Sequence, residues 1–167
     1  MIDDEIRKAA TRVLDACKSR ELMIATAESC TGGLVGAALT EIAGSSAVVD
    51  RGFITYSNAA KHALLGVSNE TLKDHGEVSR ETAEAMARGA LANSDADLSV
   101  AVTGIAGPGG GSDKKPIGLV HFAAADSNGA LLHSEHRYGD IGRAQVRRQS
   151  VFQALSMLLT LAERRKV

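Results

Sequence analysis

The chain has 167 residues, 44% of them apolar, with a formal net charge of −1. That is enough apolar content for one substantial core, and neither sign is in such excess that nucleic acid or an anionic membrane would be an obligate partner. Aromatic residues make up 3% and tryptophan is absent, which argues against a stacking platform for single-stranded nucleic acid.

The first segment, DDEIRKAATRVLDACKSR, puts Ile6, Ala9, Ala10, Val13, Leu14 and Cys17 on one side of a 3.6-residue period. This predicts an amphipathic helix with Cys17 in the core. LMIATA reads as a short buried strand, ESCT as a turn, and GGLVGAALTEI as a resumed helical pattern. AVVDRGFITYS follows as a second strand, NAAKHALL as a short helix, and SRETAEAMARGALANS as a helix with Ser79 as its N-cap. LSVAVTGI is the strongest strand signal. Beyond it lie a glycine-rich loop, AGPGGGSDKKP, and two strand candidates, IGLVHFAAAD and ALLHSEHRYG, joined through Ser-Asn-Gly as a hairpin. A final helix runs from about Gly142 to Lys166, with Val146, Phe152, Leu155, Leu159 and Ala162 as its expected buried stripe. Strands interleaved with helices predict an α/β fold: a three-layer α/β/α sandwich around a mixed, mostly parallel sheet of about five strands. Residues 1–167 are expected to form a single domain, with no internal repeat.

The longest apolar stretches, LMIATA and LVGAAL, fall far short of the ~20 residues that span a bilayer. The opening MIDDEIRKAA lacks the cationic flank and apolar run of a signal peptide. Cys17 and Cys30 make neither a disulfide framework nor a paired zinc spacing. A cytoplasmic chain with no membrane partner is expected.

Ligands of open α/β sheets bind at the carboxyl ends of strands, and two polar stretches occupy such positions. In TAESCTGG, the glycines 32 and 33 allow close backbone approach, and the amides opening the next helix offer donors to an anion or an oxyanion. Helix capping alone would also explain Glu28 to Thr31. In TGIAGPGGG, five glycines between 104 and 111 exceed what a tight turn requires, although neither a P-loop nor GxGxxG is matched. This favours a loop that cradles a ligand or moves. Lys114 and Lys115 read as a solvated patch. Lys61 follows Tyr56, Ser57 and Asn58; such a lysine is ordinarily exposed, but beside a serine in a dry pocket it would lose its proton and act as a base. Arg143 and Arg147 lie four apart, where they would share a helix face and could fork onto a phosphate or carboxylate; ordinary surface arginines are the simpler reading. His133 and His136 are three apart in a strand and so on opposite faces, while His62, His75 and His121 stand alone. No metal or other cofactor is expected.

Taken together, TAESCTGG, GSSAVVDRGFITYSNAAKHALLGV and VAVTGIAGPGGGSDKKPIGLVHFA resemble the C-terminal domain family of the competence/damage-inducible protein CinA, in the right order and over essentially the whole chain. A late GDIGRAQVRRQS is similar to the family's GDR-x-x-VRRQ, with two extra residues before Arg143. The resemblance implies the three-layer fold and a nicotinamide-nucleotide amidase, converting nicotinamide mononucleotide to nicotinate mononucleotide and ammonia. It also implies absence of the molybdopterin-binding-like N-terminal domain that longer members carry. Residue by residue, it implies Ser29 as nucleophile and Lys61 as base, with Tyr56 beside them. Backbone amides of Thr31, Gly32 and Gly33 are then the expected oxyanion donors, while Thr103, Gly104, Ala106, Gly107 and Arg143 are expected to receive the phosphate. The expected partner is thus a small nucleotide substrate, and the resemblance is compatible with a homodimer. Two rivals stay open: a non-catalytic nucleotide-binding regulator linked to competence or DNA damage, and an amidase for another substrate.

Overall fold

The computed structural model describes residues 2–166. Strands β1 (Ile24–Glu28), β2 (Val49–Ile54), β3 (Leu98–Gly104), β4 (Leu119–Asp126) and β5 (Leu131–Arg137) form one sheet in the order β2-β1-β3-β4-β5. β1 is parallel to both β2 and β3, whereas β4 is antiparallel to both β3 and β5. Four strands therefore point one way and β4 alone points back, giving the mixed, mostly parallel sheet expected from the sequence. The helices are α1 (Asp4–Lys18), α2 (Leu34–Thr40), α3 (Asn58–Leu65), α4 (Asn69–His75), α5 (Arg80–Ala92) and α6 (Arg143–Arg164). α1, α2 and α6 cover one face of the sheet, and α3, α4 and α5 lie over the other.

Side chains alternate across a pleated strand, and here the two faces differ in bulk. One presents Ile24, Val100, Val102, Val120 and Phe122 to the aliphatic stripes of α1 and α6. The other presents Ala25, Ala27, Ala101 and Ala123 to Ala83, Met86, Ala87 and Ala90 of α5. Alanine against alanine brings α5 so near the sheet that Ser99 Oγ on β3 donates to the main-chain oxygen of Ala87 at 2.7 Å. The expected Ser79 cap is present, its hydroxyl accepting from Thr82 N at 3.1 Å.

Four features depart from the sequence reading. α4 has no apolar period in the sequence because it buries none of its residues; Ser68 caps it, accepting from Thr71 N at 3.0 Å. The second strand is shorter than AVVDRGFITYS at both ends, since Ser45–Ala47 wind into a 3-10 turn and Ser57 is the N-cap of α3. On α6, Phe152 is 41% exposed, and the buried stripe runs instead through Val146, Val151, Ala154, Leu155, Leu158, Leu161 and Ala162. Leu159 is only partly buried. Among the described residues no helix is long and apolar enough to cross a membrane.

Candidate active site

β1 and β3 are neighbouring parallel strands, so the segments leaving their carboxyl ends open on the same edge of the sheet. Ser29 is the first residue after β1. The turn that follows is tied internally: Gly32 N donates to Ser29 O at 3.0 Å and Leu34 N to Thr31 O at 3.2 Å. Gly33 adopts φ +98°, a left-handed conformation that glycine takes without strain. The Glu28 carboxylate, only 1% exposed, accepts from Gly33 N, Val35 N and Gly36 N at 3.1, 3.0 and 2.8 Å. The start of α2, read from the sequence as an anion site, is thus filled by the chain's own carboxylate. The amides of Gly32 and Gly33 are used within the turn, which corrects the expectation that they receive an oxyanion. Among the described residues no other residue accepts from the main-chain N–H of Cys30 or Thr31, and the Cys30 N–H interacts only with its own thiol.

Lys61, on α3, is fully buried. Its Nζ lies 3.0 Å from Ser29 Oγ and donates to Thr55 O at 2.8 Å. Thr55 N in turn donates to Glu28 O at 2.8 Å, so the end of β2 positions the lysine over the end of β1. Burial pulls the Lys61 ammonium below the ordinary lysine value of 10.5, against the opposing pull of the Glu77 carboxylate. A neutral amine keeps one lone pair to accept the serine proton while still donating to Thr55 O. The same dry surroundings push the Cys30 thiol up to about 12, which disfavours its thiolate as a rival nucleophile.

A cavity of about 250 Å³ opens over Ser29. Of the residues expected to bind substrate, Thr103, Gly104, Ala106, Gly107 and Arg143 line it, while Thr31, Gly32 and Gly33 do not. The Thr103 hydroxyl donates to Glu77 O at 2.6 Å. Gly104 has no room for a side chain, since a Cβ there would meet Val120 Cγ2 at 2.7 Å and Leu119 O at 2.8 Å. Arg143 donates to Gly107 O at 3.0 Å and to the Tyr56 hydroxyl at 3.1 Å. The Tyr56 ring is largely exposed and forms a pocket wall; its hydroxyl is bound by Arg143 and does not bridge Lys61 and Ser29. Arg147, one turn further along α6, faces away from the cavity and reaches Cys30 O and Thr31 O, both at 3.2 Å.

Sequence reasoning missed Glu77 and Val78, which line the cavity. They precede α5, a helix leading back to the start of β3, so its first residues must lie on the same sheet edge as the carboxyl ends of the strands. The histidines lie elsewhere. His133 and His136 do take opposite faces, but His121 does not stand alone, since its Nδ1 is 3.0 Å from His133 Nε2, while His136 packs edge-on to Phe122. Among the described residues no three His, Cys, Asp or Glu side chains gather at metal-binding spacing.

The model of the CinA C-terminal domain matches residues 6–162. The chain belongs to the CinA C-terminal domain family. Within it, the chain is 48% identical over 159 residues to the nicotinamide-nucleotide amidohydrolase PncC of Escherichia coli K12, covering 95% of each chain. It is 47% identical over 158 residues to the PncC of Pseudomonas putida, covering 95% of this chain and 98% of that one. The crystal structure of the competence/damage inducible protein CihA from Agrobacterium tumefaciens superposes with a TM-score of 0.95 at 58% identity, over 96% of this chain and 98% of that one. In this CinA-family chain Ser29 and Cys30 of the turn after β1 line one cavity with the glycine-rich loop, and the buried Lys61 is hydrogen-bonded to Ser29.

Proposed function

We propose that this protein is a nicotinamide-nucleotide amidase, hydrolysing the carboxamide of nicotinamide mononucleotide to a carboxylate with release of ammonia. The observation that carries the reading is the 3.0 Å contact between Ser29 Oγ and the Nζ of a fully buried lysine. A serine hydroxyl is a poor nucleophile until a base takes its proton, and a desolvated amine does this without histidine. The names of relatives matched over nearly their whole length supply the substrate.

The residues divide the work as follows. Ser29 Oγ attacks the amide carbon as Lys61 Nζ accepts its proton, and the carbonyl oxygen becomes an oxyanion. The N–H of Cys30, the turn residue beside Ser29 that lines the cavity, is the donor to it; a group of this kind contributes about 3 to 4 kcal/mol where it has been removed. Lys61 then passes its proton to the amide nitrogen, the C–N bond breaks, ammonia departs, and Ser29 is left as an ester. Water adds to the ester while Lys61 takes its proton, and collapse returns that proton to Ser29 and frees the acid. Tyr56 flanks the ring of the substrate. Arg143 and the glycine-rich loop face the phosphate, because the other anion site of the fold is taken by Glu28. Two free, buried cysteines support a cytoplasmic setting.

The test is release of ammonia and nicotinate mononucleotide from nicotinamide mononucleotide, comparing the wild type with Ser29→Ala and Lys61→Met. Turnover by the wild type and none by either variant is expected. Tight binding without turnover by the wild type would instead establish a nucleotide-binding regulator. Equal activity on the nucleoside lacking the phosphate would point to an amidase for another substrate.

A further inference from the structure

We infer that Arg147 is a positioning residue for the reaction: by holding the carbonyls of Cys30 and Thr31, it fixes the nucleophile turn so that the Cys30 amide faces the oxyanion. The inference rests on the amidase reading above and deepens it.

Arg147 sits on α6, more than a hundred residues from the turn it grips, and is half-buried. Its neighbour Arg148 pairs with the carboxylates of Asp3 and Glu5. Arg147 meets no carboxylate among the described residues and spends Nε on Cys30 O and Nη2 on Thr31 O, each at 3.2 Å. A planar guanidinium with donors in a fixed fork defines the direction of both carbonyls, as a flexible ammonium would not.

The effect on the amides follows from the trans peptide, in which N–H and C=O point in opposite directions. With Cys30 O drawn to α6, the N–H of Thr31 in that same peptide must point away from α6. With Thr31 O also drawn to α6, the N–H of Gly32 points back into the turn, where it meets Ser29 O at 3.0 Å. Ser29 O is therefore directed inward, and the N–H of Cys30, sharing that peptide, is directed outward. Arg147 thus fixes the peptides that follow Cys30 and Thr31, the Gly32 bond to Ser29 O fixes the one before them, and the Cys30 N–H, on a residue that lines the cavity, is left without an acceptor in another residue. Preorganised donors of this kind stabilise charge that develops during the reaction, because they need no rearrangement when it forms. Arg147 is also adjacent to Gly32, whose Cβ position lies 3.6 Å from Nη2.

The experiment compares the wild type with Arg147→Lys, which reaches one carbonyl, and Arg147→Met, which reaches neither. Steady-state kcat and KM for nicotinamide mononucleotide are measured with the inhibition constants of two ligands. The first is the 3-formylpyridine mononucleotide, whose aldehyde adds Ser29 to give a tetrahedral oxyanion. The second is nicotinate mononucleotide, which needs no oxyanion site. Expected for Arg147→Met is a fall in kcat of about 100-fold with KM within about threefold, in line with loss of one preorganised donor. Affinity for the aldehyde should fall by a similar factor while product affinity stays unchanged, and Arg147→Lys should lie between. Unchanged product affinity also shows that the pocket is folded, and should Arg147→Met not fold, Arg147→Lys carries the comparison. Equal loss of affinity for aldehyde and product, or unchanged kcat, would overturn the inference. A wild type that does not turn over the nucleotide would instead overturn the amidase reading.

Discussion

Replacing Lys61 by methionine should abolish activity and stabilise the fold. The lysine is fully buried, and its Nζ is satisfied by Ser29 Oγ at 3.0 Å and Thr55 O at 2.8 Å. Losing those two hydrogen bonds costs about 2 kcal/mol at a net value of about 1 kcal/mol each. Removing the need to bury an ammonium gains several kcal/mol, while the unbranched methionine fills much the same volume. The balance near neutral pH is a gain of about 1 to 3 kcal/mol, or roughly 2 to 4 °C in Tm per kcal/mol for a chain of this size. The pH dependence has a definite sign. Because burial lowers the Lys61 pKa in the folded state below 10.5, the unfolded chain binds more protons between the folded pKa and 10.5. Wild-type stability therefore rises with pH through that window. The advantage of methionine is fully present below the folded pKa and shrinks as pH rises through it. Urea unfolding of both proteins near pH 7 and near pH 10, beside an ammonia-release assay, reads both effects. The rate should fall by about 10⁴-fold, the upper range for loss of a positioned base. A Lys61→Met protein that is less stable than the wild type at both pH values would refute the reasoning, since the lysine would then be a structural support.

Activity should rise with pH as Lys61 loses its proton, and Glu77→Gln should move this limb to lower pH, because the Glu77 carboxylate favours the charged amine; a pH–kcat profile of the two proteins checks it. Cys30→Ala should retain activity within about threefold, and iodoacetamide should leave the wild type active near neutral pH, since a thiol held at about 12 offers little thiolate. Glu28→Gln should destabilise by about 3 kcal/mol, because at least one of three backbone donors would then face an amide NH₂; chemical denaturation measures this, and a change below about 1 kcal/mol would contradict the cap described above.

The layered fold was legible because its strands are short apolar runs and five of its helices carry recognisable periods or caps. The exception, α4, lies on the surface without a buried residue, so the apolar pattern that reveals other helices does not exist for it. Ser29 and the lining residues of the glycine-rich loop were legible as polar stretches at strand ends. The burial of Lys61 was harder to see, since its partner lies 32 residues away in the chain. A signal was nonetheless present: Lys61 and Leu65 are four apart and form the buried stripe of α3, so a charged residue stood where the helix period required an apolar one. The use of the Gly32 and Gly33 amides within the turn was not legible, because Glu28, read only as part of a cap, accepts from Gly33 and Ser29 O accepts from Gly32. Nothing in the spacing of Arg143 and Arg147 distinguished their duties; only the packing of α6 sends one to the cavity and the other beneath the turn.

The buried Lys61 is anchored beside an edge strand. β2 has a neighbour on one side only, and Thr55, just past its end, supplies the carbonyl that anchors Nζ. Edge elements open at lower free energy than the global transition. Partial detachment of β2 and α3 would hydrate Lys61, restore its charge and silence Ser29 while the rest of the sheet stayed intact. Loss of turnover in mild denaturant or on warming would therefore precede loss of secondary structure, making the enzyme's own rate a gauge of how firmly one border of the sheet is closed.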